Sequence, residues 1–183
     1  MIWNGSIWSS DDCGLMSKLA FQFISEAKHA LFDTGNHSVA GNLSSFENLN
    51  RLENLCKLAA TERAVSLNDF DKDPMLLAAS NQWIDLQSGH AFDPDPSILV
   101  SKSITTDYCA KSLCPNFDAF LNGIFESDQS LIYYVQRVIG YSLTGTTSEQ
   151  CLFILTGDGA NGKSTFVNVI NKLLWDYSKA ASS

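Results

Sequence analysis

Residues 157–164 read Gly157-Asp158-Gly159-Ala160-Asn161-Gly162-Lys163-Ser164, a match to G-x-x-x-x-G-K-[ST]. Such an octet needs a strand before it and a helix after it, and the flanking sequence predicts both. Residues 151–155 (CLFIL) form a short, wholly apolar run, as expected of a strand buried on both faces of a parallel sheet. Beyond the octet, Phe166, Val169, Ile170, Leu173 and Leu174 recur at helical spacing. The residue types follow from the chemistry of an anion site. Backbone N–H groups must turn inward around phosphate oxygens. Gly157, Gly159 and Gly162 permit the φ values this needs and let phosphates approach closely. A helix starting near Lys163 directs the positive end of its dipole at the anion. Lys163 is placed to reach the β and γ phosphates of a nucleotide, and the Ser164 hydroxyl to ligate Mg²⁺.

The same region lacks the rest of a hydrolytic site. Nineteen residues follow Ser164; among them Asp176 is the sole acidic residue, and there is no arginine. A P-loop ATPase needs an acidic residue at the end of another strand to hold Mg²⁺, and a charge-stabilising arginine in cis or from a neighbour. The chain is therefore expected to be cut off before its ATPase domain is finished. A P-loop strand without partner strands cannot bury its faces, so the last unit is expected to be poorly stable.

The 183 residues suffice for one ordinary domain, or one small domain and part of another. With 45% apolar and 17% charged residues, the chain can bury a core. A formal net charge of -8 makes it a poor nucleic-acid binder on its own, because phosphate contacts need clustered Lys and Arg. DNA contact would need a local patch, an oligomer or further sequence. Cys13, Cys56, Cys109, Cys114 and Cys151 form no CxxC pair and no zinc spacing with the histidines, and read as free thiols of a reducing cytoplasm. No apolar run is long enough to span a membrane, and the N-terminus lacks a secretory signal, so a cytoplasmic protein without membrane partners is expected.

Upstream, Asn4-Gly5 between Trp3 and Trp8 predicts a tight hairpin. A helix is expected from about Leu15 to Leu31, with Leu15, Leu19 and Phe23 on one face. Residues 33–41 read as a loop. A second helix is expected from Ser44, with Ser44 and Glu47 at capping-box spacing and a stripe of Leu49, Leu52, Cys56 and Ala59. Residues 83–86 read as a strand that turns at 87–89 and returns through Ala91-Phe92, and Asp93-Pro94-Asp95-Pro96 as a loop. Asp69, Asp71 and Asp73 read as a solvated acidic turn. Two helices then follow. The first opens at Pro115 with a stripe of Phe117, Phe120, Leu121, Ile124 and Phe125. The second is capped by Asp128, stopped by Gly140, and striped by Leu131, Tyr134, Val135, Val138 and Ile139. The Phe and Tyr stripes over 117–139 are expected to pack a core. The polar run GTTSEQ marks a boundary near 145–149.

Several of these pieces carry a family resemblance. Residues 118–164 are similar to the phage and plasmid primase–helicases, grouped with the viral superfamily 3 DNA helicases and poxvirus-type NTPases. The matching pieces are Cys114-Pro115 with Phe120-Leu121, residues 131–137 (LIYYVQR), residues 140–145 (GYSLTG), Glu149-Gln150 and the loop GDGANGKST. Asp73-Pro74 with Leu76-Leu77, and Ile84-Asp85-Leu86 with Gly89, resemble the domain that precedes the helicase in that family; Asn81-Gln82 stands where the family usually has Asn-Gly. The resemblance implies a fold of the α/β class: a mainly helical α+β domain over 1–145, then, over 146–183, the first strand, P-loop and helix of a truncated AAA+-like superfamily 3 helicase domain. It implies ATP and Mg²⁺ as ligands of Gly157, Asp158, Gly159, Ala160, Asn161, Gly162, Lys163, Ser164 and Thr165, with Ser164 on the metal and no catalytic residue within this fragment. It also implies single-stranded DNA and a homo-oligomeric ring, commonly a hexamer, as partners of the complete protein, in a host-cell cytoplasm where a phage or virus encodes it. Primase activity, where the family has it, lies in a further N-terminal domain. Two other readings stay open: another P-loop NTPase, such as a small kinase, and a non-catalytic oligomerisation or recruitment module with a vestigial P-loop.

Overall fold

The computed structural model describes residues 1–62, 64–157, 159 and 161–179. They fall into two compact units: Met1–Asn4 with Trp8–Asp69, and Gly5–Ile7 with Phe70–Ser183.

In the first unit, strands β1 (Ile2–Trp3) and β2 (Trp8–Ser9) pair antiparallel with Trp3 opposite Trp8. The two indoles lie 5.9 Å apart. The predicted hairpin is there, but four residues connect its strands, with Gly5 at φ 104°. Helix α1 (Leu15–Asp33) follows Gly14 in the left-handed region. The Asp11 carboxylate accepts from the Leu15 and Met16 amides at 2.6 and 2.8 Å, satisfying donors that a helix start leaves open. Its inward face differs from the predicted one: Ile24 is buried, whereas Leu19 and Phe23 are exposed. Residues expected to be a loop instead hold helix α2 (His37–Leu43), which runs into a 3₁₀ turn (Ser44–Glu47). Helix α3 (Leu49–Glu62) therefore starts five residues later than predicted. Asn48, not Ser44, offers the side-chain oxygen, 3.1 Å from the Asn50 amide. Glu47 reaches across to Lys28 at 2.5 Å, so the expected capping box does not form. Ala40 and Leu52 join Ile24 as buried residues.

The second unit is built on a three-stranded antiparallel sheet, β3 (Leu76–Ala78), β4 (Trp83–Asp85) and β5 (Ala91–Phe92), in that order. Leu77 faces Ile84, and Ile84 faces Ala91. Period-two alternation splits the faces. Leu77, Ala79, Ile84 and Ile104 form a buried cluster with Leu86, Tyr108, Leu143 and Tyr177 against it. On the other face Trp83 is fully buried, its indole N–H donating to the Ser6 carbonyl at 3.1 Å and its ring edge-on to Phe92. Strand β4 and its return match the sequence reading; β3 was not predicted. The β3–β4 connection is held by Asn81, whose side chain donates to the Tyr108 carbonyl and accepts from the Tyr108 amide at 3.0 and 2.8 Å. Asp71 is more than a solvated turn residue: at φ 53° its carboxylate accepts from the Ser101 amide at 2.8 Å.

Helices α4 (Pro115–Ile124) and α5 (Gln129–Leu143) agree with the sequence in place and opening. The Asp128 carboxylate accepts from the Ser130 and Leu131 amides at 2.9 and 3.1 Å, and these bonds hold it below the usual carboxylate pKa. Gly140 does not stop α5, which runs to Leu143; Gly145 beyond it donates to the Pro74 carbonyl at 2.7 Å. The buried face of α5 carries Ile132 and Val135, while Leu131, Tyr133 and Tyr134 are exposed, so the tyrosines are not core residues. Tyr133 lines an open groove with Ser130, Gln136 and Arg137.

The mixed helix and small-sheet architecture is the α+β class expected of the N-terminal region. The strand expected at 151–155 is absent: the segment pairs with nothing, and Leu152 and Ile154 are 84% and 74% exposed. A parallel-sheet strand must share its backbone groups and bury both faces, and among the described residues this segment joins neither sheet. The predicted helix does form, as α6 (Lys163–Leu174). No helix among the described residues is long and apolar enough to cross a membrane.

Candidate functional site

The loop before α6 takes its shape from three residues. Gly157 lies at φ 150° and Gly162 at φ 81°, backbone values that side-chain-bearing residues rarely adopt. At Gly162 space adds to the requirement, because a Cβ would lie 2.6 Å from Ile124 Cγ2 and 3.3 Å from the Phe120 ring. The start of α6 thus rests on the end of α4. At Gly157 a Cβ would lie 2.0 Å from the Asn161 amide nitrogen. Asn161 is folded back over the first glycine of the motif, and a side chain at 157 would displace its amide.

Lys163 closes the loop. Its Nζ donates to the Gly157 carbonyl at 2.8 Å and to Asn161 Oδ1 at 2.7 Å, so a half-exposed ammonium ties the two residues together. Ser164 and Thr165 are exposed in the first turn of α6. Gly162 gives that helix no side-chain cap, so its first amides find no protein acceptor in the cap position. Of the nine residues expected to bind nucleotide, the structure brings Gly157, Asn161 and Lys163 together, while Gly162 approaches Ile124 and Phe120. Gly159 has open space around its Cα, Ser164 and Thr165 stand beside the loop, and Asp158 and Ala160 lie outside the described residues. Among the described residues no group of three or more His, Cys, Asp or Glu side chains is placed to hold a metal ion.

The far end of α6 is fastened in a way the sequence did not reveal. Leu174 is buried, and a 3₁₀ turn (Trp175–Tyr177) carries Tyr177 into the sheet cluster. Its hydroxyl donates to the Lys102 carbonyl at 2.9 Å and lies 3.4 Å from the Ala78 amide. Burial pushes the phenol up to about 12. The only signal in the sequence was an aromatic just past a helical stripe, which fits many structures. Because this pKa lies above the ordinary value near 10, the neutral phenol's stabilisation is complete below pH ~10 and lost as pH rises toward 12. Tyr177→Phe should cost about 1 kcal/mol at neutral pH through the lost hydrogen bond. Its melting temperature should also fall less steeply than wild type above pH ~10; parallel melting curves across that range would refute the burial argument.

The family comparison covers the chain through α4. Residues 1–126 match the family model described as D5 N terminal like. The chain belongs to that family. A search of curated proteins matches the protein named "Putative helicase L207/L206" of Acanthamoeba polyphaga mimivirus, 30% identical over 117 residues. That alignment covers 62% of this chain and 12% of the relative, so the chain spans about an eighth of the relative's length. The D5 N terminal like region ends at residue 126, before the loop at 157, and takes in β1–β5 and α1–α4, including Phe120 and Ile124 beneath Gly162.

Proposed function

We propose that this D5 N terminal like chain is the front part of an ATP-dependent DNA helicase of phage, plasmid or viral replication, in which 1–145 precede the motor and 146–183 open it. The observation carrying this reading is the Lys163 ammonium bonded to Gly157 and Asn161 at the start of α6, a helix without a side-chain cap. The family region, residues 1–126, precedes it in the chain, and the chain is similar to a protein named as a helicase. The donor set suits a nucleotide triphosphate: an ammonium at the loop, a helix start without a side-chain cap, and glycines at 157 and 162 where Cβ atoms would meet neighbouring side chains. Gly157 to Thr165 would bind the phosphates and Ser164 the Mg²⁺, which would neutralise phosphate charge. Single-stranded DNA and a hexameric ring are partners of the complete protein on this reading, since a chain of net charge -8 offers little for DNA on its own.

The exposed apolar run at 151–155 favours a second reading, a non-catalytic oligomerisation or recruitment module with a vestigial loop. Calorimetric titration of the 183-residue chain with Mg·ATP separates the two. Saturable one-to-one binding without phosphate release is expected from the first; no detectable heat up to millimolar ATP would leave the second.

A further inference from the structure

The Asn161 amide oxygen accepts from Lys163 Nζ at 2.7 Å, and its nitrogen occupies the space a Gly157 side chain would fill. A lysine ammonium has three donors. Two are taken by the Gly157 carbonyl and Asn161 Oδ1. Reaching one phosphate oxygen uses the third and disturbs nothing. Reaching two, on adjacent phosphates, requires a protein acceptor to let go. The Gly157 carbonyl is fixed in the backbone, whereas the Asn161 amide swings away by side-chain rotation. Building on the nucleotide-binding reading, we propose that Asn161 is a positioning residue that competes with the terminal phosphate for Lys163, setting how strongly the loop prefers a triphosphate over a diphosphate.

The test compares dissociation constants for Mg·ATP and Mg·ADP in the full chain and in Asn161→Ala and Asn161→Asp. Asn161→Ala should tighten ATP about three- to tenfold, the worth of one exposed hydrogen bond to a charge, and leave ADP within about twofold. Asn161→Asp, with a full negative charge beside the ammonium, should weaken ATP more than ADP. A merely structural role would move both nucleotides together, and equal shifts would overturn the proposal. A second readout needs no nucleotide. Competitive acetylation of the lysines, read by mass spectrometry, should rise at Lys163 relative to Lys28 and Lys57 when Asn161 becomes Ala. Unchanged labelling would show that Asn161 does not hold the ammonium. If wild type binds neither nucleotide, the phosphate-loop reading itself fails; if wild type binds and the variants keep its ATP-to-ADP ratio, that reading stands and the competition alone is wrong.

Discussion

Lys163→Ala is expected to weaken Mg·ATP binding by about 100-fold or more while leaving the helix it begins intact. The estimate follows from the bonds at stake. An ammonium reaching two phosphates makes charge-assisted hydrogen bonds of roughly 1.5–3 kcal/mol each. Even discounted for an exposed, hydrated site, their combined loss is about 2.7 kcal/mol, which is two orders of magnitude in affinity. Stability should change little, because among the described residues the Lys163 side chain bonds to Gly157 and Asn161 within the loop and is not part of the buried sheet cluster. Titration with a fluorescent ATP analogue, displaced by unlabelled ATP, measures the effect, and far-UV circular dichroism with a melting curve checks the fold. Lys163→Arg sharpens the result. It keeps the charge but replaces a compact ammonium by a broad planar fork, and should recover little of the affinity in a loop where Asn161 is packed against Gly157. Affinity within threefold of wild type in Lys163→Ala would remove the loop from the functional account.

The parts of the fold that were legible in the sequence are those fixed by local chemistry. Asp128 caps α5 because a short carboxylate one residue before a helix reaches its open amides, and Pro115 opens α4 because its ring suits a first turn. Helix α6 and its glycine-rich entry are local for the same reason. Where a reading failed, a distant partner made the choice. Strand β3 is three residues long and acquires its identity only by pairing with β4. Gly140 is tolerated inside α5 because the helix continues to Leu143, which packs against the sheet cluster. The rotation of the α1 face from Leu19 and Phe23 to Ile24 reflects which side α2 and α3 cover, and α2 itself was hidden by Gly35-Asn36 and Gly41-Asn42. The site divides in the same manner. Its residue types were readable from the octet alone, whereas the support of Gly162 by Phe120 and Ile124, and the anchoring of Tyr177, depend on residues 38 or more positions away.

Trp83→Ala should produce the largest loss of stability of any single substitution in the second unit. Trp83 is the one large side chain fully enclosed among the described residues, and its indole supplies both apolar area and the hydrogen bond to the Ser6 carbonyl. Truncating a buried aromatic costs about 3–5 kcal/mol through lost transfer energy and the cavity left behind. Against a domain stability of about 5–15 kcal/mol, that is a third or more of the total. Trp83→Phe separates the two contributions: it keeps a ring beside Phe92 but strands the Ser6 carbonyl, and should cost about 1–3 kcal/mol. Urea denaturation followed by circular dichroism gives the ordering, with Trp83→Ala least stable, then Trp83→Phe, then Tyr177→Phe. The order matters physically because Tyr177 is only partly enclosed, whereas Trp83 fills the face of the sheet opposite the Leu77–Ile84 cluster. A Trp83→Ala midpoint no lower than that of Tyr177→Phe would mean that this face contributes little to holding β3, β4 and β5 together.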